Sequence, residues 1–267
     1  MSFVTIEKPR DLVTLVTLNR PERMNAMAFD VMIPFREALE KVGHDNDTRV
    51  VVVTGAGHGF CSGADHEDAG IVPNIDGLTV PTIALRAMEL LDEVITTIRK
   101  LHQPVVAAVN GAAIGGGMCL ALACDVRIAS SAAYFRAAGI NNGLTASELG
   151  ISYLLPRAVG SSRAAEIMLS GRDVDAREAE SIGLVSKVTT PETMLDECYA
   201  LADRIIGFSR PGVELTKRML WDSLDASSLG SHMHHEGIAQ LFVRLTTKNF
   251  EESVRARKEK RPPVFLD

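Results

Sequence analysis

Two glycine-rich stretches hold the residue types that could do chemistry. The first, Asn110-Gly111-Ala112-Ala113-Ile114-Gly115-Gly116-Gly117, follows the apolar run Pro104-Val105-Val106-Ala107-Ala108-Val109 and precedes Met118-Cys119-Leu120-Ala121-Leu122-Ala123-Cys124. The run before it reads as a buried strand and the run after it is mostly good helix formers. The triplet therefore sits where a strand passes into a helix. Backbone N–H groups at a helix start lack intrahelical partners and carry the positive end of the dipole. Without Cβ atoms there, a ligand oxygen can come right up to the backbone. The second stretch, Gly55-Ala56-Gly57-His58-Gly59-Phe60-Cys61-Ser62-Gly63-Ala64-Asp65, follows the interior-type strand Arg49-Val50-Val51-Val52-Val53-Thr54. Ligands of open parallel sheets bind at the carboxyl ends of strands, so both loops could face one crevice. Either loop taken alone reads equally well as a tight turn.

Other chemistries fit these residues less well. Gly55-Ala56-Gly57 begins like a dinucleotide fingerprint, but Phe60 stands where the third glycine belongs. Ser62 precedes Gly63, yet a nucleophile elbow needs glycine at 60 and 64, where Phe60 and Ala64 stand. Cys61 and Cys119 lie near the loops and read as small buried hydrophobes rather than nucleophiles. His232, His234 and His235 crowd together without metal-ligand spacing, and no metal site is expected.

The elements that position the loops follow from periodicity. Residues 3–7 and 12–18 read as a hairpin, Asn19 to Ala26 as a polar turn, and 29–42 as a helix. Residues 70–82 read as a surface loop and 82–102 as a long helix. The order strand, helix, strand, helix, strand makes parallel pairing the expectation. Short strands are expected at 125–129, 133–135 and 184–188. Helices are expected over 146–155, 161–169, 175–182, 191–206, 212–225, 227–245 and 248–259. The reading is an α/β core over residues 1–200 followed by a helical region over 201–267.

Composition limits the function classes. With 46% hydrophobic and 23% charged residues, the 267-residue chain is an ordinary globular one that can bury a core without disulfides. A net charge of -6 supplies no overall basic field for nucleic acid. The opening residues lack the pattern of a secretory leader, and no apolar run reaches the ~18 residues of a membrane span. A cytoplasmic protein with reduced thiols, binding neither nucleic acid nor membrane, is the expectation.

Taken together, several segments resemble the enoyl-CoA hydratase/isomerase (crotonase) superfamily. They are Asn19-Arg20-Pro21 with Asn25-Ala26, Phe60 to Asp65, Asn110-Gly111 with Gly115-Gly116-Gly117, Cys124-Asp125, Leu155 to Gly160, Glu166 to Gly171, Ala179 with Gly183-Leu184-Val185, and the Arg257–Phe265 tail. The resemblance spans almost the whole chain. It implies an α/β spiral of ββα units with a helical C-terminal trimerisation region, in a homotrimer or dimer of trimers. It also implies an acyl-CoA substrate, with coenzyme A as part of the substrate and no separate cofactor. The N–H groups of Ala64 and Gly116 would form an oxyanion hole for the thioester carbonyl, where negative charge develops. Arg23, Asn25, Ala26, Ala64, Asp65, His66, Glu67 and Gly116 would line the coenzyme A and substrate site, with Asp65 also bracing the oxyanion loop. The basic run Arg255 to Arg261 could meet coenzyme A phosphates.

The acid–base residues depart from the hydratase pattern. Where hydratases of the family carry two glutamates, this chain has Cys119 and Gly139. Hydration needs a base for water and an acid for the α-carbon. Counting back from Leu155 to Gly160 puts Glu148 where dienoyl-CoA isomerases and 4-chlorobenzoyl-CoA dehalogenases carry a functional aspartate. The reading is enolate chemistry with Glu148 moving the proton, giving double-bond isomerisation or hydration of an enoyl-CoA in fatty-acid metabolism. Dienoyl-CoA isomerisation and non-catalytic acyl-CoA binding are the alternatives. Glu148 would otherwise be a carboxylate at a helix start, following Thr145-Ala146-Ser147.

Overall fold

Strands that are apolar on both faces have to be covered on both sides. The structure, a computed structural model that describes residues 2–266, does this with a repeating strand–strand–helix unit. β1 (Val4–Arg10) and β2 (Val13–Leu18) form an antiparallel hairpin, followed by α1 (Phe29–Gly43). Then come β3 (Val50–Gly55), β4 (Gly59–Cys61) and α2 (Val80–Lys100), and next β5 (Val105–Val109), β6 (Ala112–Ile114) and α3 (Gly116–Ala123). β7 (Val126–Ser130) and β8 (Tyr134–Arg136) lead through a 3-10 turn at Ala138–Asn142 to α4 (Ile151–Val159) and α5 (Ser161–Ser170). β9 (Val174–Asp175), α6 (Ala176–Ser181), β10 (Lys187–Thr189) and α7 (Met194–Ile206) complete the core, and α8 (Arg210–Asp222), α9 (Leu229–Thr246) and α10 (Asn249–Glu259) follow.

The first strand of each unit joins a six-stranded sheet of order β1-β2-β3-β5-β7-β10, parallel from β2 onward. The second strand joins a four-stranded sheet of order β4-β6-β8-β9. This is the spiral of ββα units expected from the family resemblance. Alternation along β3 splits the core in two. Val51 and Val53 face the main core with Phe35, Leu39 and Leu120, while Val50 and Val52 face Met194, Cys198 and Ala202 of α7. Residue 200 thus falls inside a helix that packs on the sheet.

Three local expectations change. The stretches 59–61 and 112–114 are strands, so the glycine triplet follows β6 of the small sheet rather than β5. Three-residue strands carry no usable alternation, and their pairing is set by the unit that precedes them. The helix expected from 146 begins only at Ile151, because Leu149 (φ 45°) and Gly150 (φ 79°) are left-handed. Glu148 therefore lies in a connector and not in the first turn of a helix.

The C-terminal helices are anchored through buried charge. Lys217 of α8 pairs with Asp125 at 2.8 Å and donates to the Gln103 carbonyl at 2.8 Å. The same carboxylate accepts from the Trp221 indole at 2.6 Å and from the Val105 N–H at 2.7 Å. Beyond this anchor the helices carry exposed apolar side chains, among them Leu220, Leu229, Met233, Leu241 and Phe242. A cavity of about 1070 Å³ lies between α8 and α9, lined by Phe208, Val213, Met219 and Val243, away from both glycine-rich loops. Lys217→Met would leave the Asp125 carboxylate buried without its cation. We expect it to destabilise the protein by about 3 kcal/mol, read as a lower midpoint in urea unfolding.

Candidate active site

The two loops meet through Met27. Its N–H donates to the Gly63 carbonyl at 2.7 Å, and its own carbonyl accepts from the Asp65 N–H at 3.2 Å. This parallel bridge turns the Ala64 N–H away from Met27. Across the gap, Gly115 has φ 52° and its N–H donates to the Arg136 carbonyl at 2.8 Å, so that α3 starts at Gly116. Gly117 must be glycine because a Cβ there would overlap the Cys61 carbonyl. A Cβ on Gly63 would lie 3.5 Å from the Gly116 nitrogen, which measures how closely the loops approach. Among the described residues, neither the Ala64 N–H nor the Gly116 N–H has an acceptor within the protein. Buried backbone donors are almost always paired, so the unpaired N–H of buried Gly116 is unusual, and the exposed Ala64 N–H lies on the loop facing it.

Buried polar side chains hold this geometry. Asp65 accepts from Arg20 at 3.0 Å, from Arg23 at 2.5 Å and from the N–H groups of Glu67 and Asp68. Hydrogen bonds from Arg23 hold the Asp65 carboxyl well below the usual carboxylate range. Arg23 also pairs with Glu67, and these partners raise its own pKa. Asn25, fully buried with φ 55°, accepts from the Arg20 N–H at 2.8 Å and donates to the Ala56 and Gly59 carbonyls at 3.0 and 2.8 Å. Both polar atoms of its side chain are used inside the protein, so its part in the site is to brace the 19–26 turn. Ala26 is buried beside it. The linking role of Met27 was missed in the sequence, where it has no distinctive spacing, and Arg20 stood there only as part of the Asn19-Arg20-Pro21 segment, with no bracing role assigned.

The one free carboxylate at the loops is Glu148. A Cβ on Gly115 would lie 3.2 Å from Glu148 Oε1 and 4.0 Å from the Gly63 Cα. The Glu148 carboxylate accepts no hydrogen bond from the described residues, and partial burial raises its pKa. Leu149, next in the chain, is buried in a left-handed conformation that is costly for a leucine. That conformation, with left-handed Gly150 after it, turns the chain between Glu148 and the start of α4.

The missing glutamates have a steric account. A Cβ on Gly139 would overlap the Thr145 carbonyl, so the connector carrying Glu148 fills the space that a longer side chain at 139 would need. Cys119 is fully buried, with Sγ 3.3 Å from the Gly115 carbonyl and 3.6 Å from that of Glu148. Burial and the nearby Glu148 keep its thiol protonated, and burial pushes the Cys61 thiol up to about 12. Neither is a nucleophile. The connector thus leaves no room for a side chain at 139 and brings the Glu148 carboxylate beside Gly115.

The remaining candidates spread around the mouth. His66 is exposed, with Nε2 3.4 Å from Asn142 Nδ2. Glu67 is exposed and tied to Arg23. In the tail, Arg255 and Arg261 are spent on the buried Glu252, which also accepts from the Val264 N–H at 2.9 Å. His232 pairs with Glu236 on α9, far along the chain from either loop. Among the described residues no three His, Cys, Asp or Glu side chains are grouped to hold a metal ion, and no helix is long and apolar enough to cross a membrane.

Two outcomes follow from these contacts. Asp65→Asn should lower stability near neutral pH, because Arg20 and Arg23 lose their anion. Since the folded-state pKa is depressed, the carboxylate's contribution is complete above the ordinary value of about 4 and is lost as pH falls below it. The gap between the wild-type and Asp65→Asn unfolding midpoints should therefore narrow steadily as pH falls below about 4, yet still be open at about pH 3, since the folded-state carboxyl is held well below that. Gly139→Ala should destabilise by about 3 kcal/mol in denaturant unfolding, because the Thr145 backbone has to move.

The comparisons agree with this architecture. Residues 9–267 match the family model described as enoyl-CoA hydratase/isomerase. A probable enoyl-CoA hydratase of Mycobacterium tuberculosis is 68% identical over 267 residues, covering 100% of this chain and 94% of the relative. The crystal structure of a probable enoyl-CoA hydratase/isomerase from Mycobacterium abscessus superposes with a TM-score of 0.96 at 69% identity, covering 99% and 98% of the two chains. A monofunctional enoyl-CoA isomerase from M. smegmatis aligns with a TM-score of 0.75 at 60% identity, over 87% of this chain and 99% of that one. The paired loops, the ββα spiral and these likenesses together place the chain in the enoyl-CoA hydratase/isomerase family of acyl-CoA enzymes.

Proposed function

We propose that the protein moves the double bond of an enoyl-CoA, converting a 3-enoyl to a 2-enoyl thioester. The observation that carries this reading is a single unpartnered carboxylate, Glu148, beside two unpaired backbone donors. The thioester oxygen would accept from the Ala64 and Gly116 N–H groups. Glu148 would take a proton from C2, the C3–C4 double bond would shift to C2–C3 through a dienolate, and the same carboxylate would return the proton to C4. One carboxylate suffices because the proton taken is the proton returned. Each oxyanion donor of this kind is worth about 10²–10³ in rate. The partial burial that raises the pKa of Glu148 also makes it a stronger base toward a weakly acidic C–H.

Hydration is the second reading, supported by the names of relatives such as the M. tuberculosis protein. It needs a second acid–base group, and the Gly139 backbone leaves no room for one at that position. The backbone at 24–26 and 64–67 is our proposed coenzyme A contact, with Arg23 and Asp65 holding its shape and Arg257, Lys258 and Lys260 left to meet phosphate. The exposed apolar face of α8–α10 is our proposed surface for association into a trimer or a dimer of trimers.

Glu148→Gln should lower the isomerisation of a 3-enoyl-CoA by about 10²–10⁴, followed by the absorbance of the conjugated product. Mass spectrometry of the wild-type reaction should show product of unchanged mass. Fast gain of one water from a 2-enoyl-CoA, or an unimpaired Glu148→Gln enzyme, would overturn the proposal.

A further inference from the structure

Met27 touches both glycine-rich loops. Its backbone makes the bridge to Ala64, and its side chain lies on the other loop. A Cβ on Gly116 would come within 2.2 Å of Met27 Sδ and 3.3 Å of its Cε. Ordinary backbone dimensions then put Sδ no further than about 4.7 Å from the Gly116 nitrogen. Leu149 Cδ1 would meet the same Cβ at 3.2 Å. Both side chains are buried members of the main core. The adjoining position is walled differently. A Cβ on Gly115 would meet Glu148 Oε1 at 3.2 Å and the small Ala138 side chain at 3.7 Å. The Gly116 donor thus stands between a carboxylate on one side and a closed apolar wall on the other.

We propose that Met27, backed by Leu149, determines specificity at the α-carbon of the substrate: its thioether fills the space on the oxygen side of C2, so that the site takes enoyl thioesters unsubstituted at C2 and rejects those carrying a 2-methyl group.

This role rests on the Gly116 N–H holding the thioester oxygen, as proposed above. An oxygen held there lies about 2.9 Å from the nitrogen, and C2 is two bonds from that oxygen. In a conjugated or enolised thioester C2 is planar. It carries two in-plane positions, one beside the oxygen and one beside the sulfur. An unbranched chain fills one and leaves a hydrogen in the other. A 2-methyl group fills both, so a carbon lies beside the oxygen in either rotamer. Met27 and Leu149 crowd that position. Met27 is held at its backbone by the Gly63 carbonyl and the Asp65 N–H, and Leu149 by its left-handed turn. Retreat of either side chain would displace other close-packed core residues. One carbon too many in a filled pocket is worth about 10–200-fold.

The test compares the binding of crotonyl-CoA and 2-methylcrotonyl-CoA by isothermal titration calorimetry. The full chain carries Glu148→Gln, so that no proton is moved. The 2-methyl thioester should bind about 10–200-fold more weakly. Adding Met27→Ala should bring the two Kd values within about threefold of each other. The bridge to Ala64 is main chain and survives this substitution. Met27→Leu, of similar volume, should keep the discrimination. Both thioesters are titrated into one preparation, so a partly unfolded variant leaves their ratio intact. If Met27→Ala does not fold, Met27→Val should narrow the ratio in the same direction. Equal Kd values before Met27 is changed, a ratio unmoved by the smaller side chains, or no binding of either thioester overturns the proposal. If Glu148→Gln still isomerises a 3-enoyl-CoA, the proposed reaction fails, while the Kd ratio, which needs no turnover, still decides the role of Met27.

Discussion

A backbone N–H that is to receive a ligand has to stay unpaired inside a fold that pairs nearly all its other backbone donors. The rest of this structure answers to that constraint. Two donors with no acceptor among the described residues, the N–H groups of Ala64 and Gly116, sit on loops from different ββα units and are our proposed ligand contacts. Each loop must be rigid without using the donor in question. Met27 solves this for the first loop by bonding the groups on either side of Ala64. For the second, the Gly115 backbone turns sharply, is fastened to Arg136, and starts a helix one residue later.

Polar groups that could have served as ligand contacts are instead spent on this rigidity. Asp65, Arg20 and Arg23 form a largely buried charged cluster, which is costly to desolvate and severe to break. Asn25 uses both polar atoms of its side chain on three backbone groups. The site therefore presents to a ligand mostly backbone, apolar side chains, and one carboxylate that nothing neutralises directly. Such a surface suits a thioester, whose charge develops during reaction rather than before it.

Much of the fold was legible because it follows from periodicity. The Val50–Val53 run had to be an interior strand, and the strand–helix alternation implied parallel pairing. Helices α1, α5 and α7–α10 lie close to where their apolar spacing placed them. The small sheet was not legible, since β4 and β6 are only three residues long and gain their pairing from the turns that deliver them. The start of α4 was misplaced because left-handed Leu149 has no sequence signature. At the site, the glycine spacing and the resemblance it supports pointed to Ala64, Gly116 and Glu148. Met27 and Asn142 carried no comparable pattern, and Arg20 stood only within the Asn19-Arg20-Pro21 segment without a role of its own.

The sequence by itself determined the strands and helices, the two glycine-rich turns, and the absence of the glutamate pair at 119 and 139. Those features are local, written in residue type and spacing. Only the tertiary structure decided that the Glu148 carboxylate lies beside Gly115 and Gly63, that the Thr145 backbone fills the space next to Gly139, and that His66 reaches Asn142. These are meetings between residues far apart in the chain, and they depend on a left-handed turn at 149–150 and on where α4 packs. Spacing along a chain can say which groups are available. Which of them share a few ångströms of space is settled by packing.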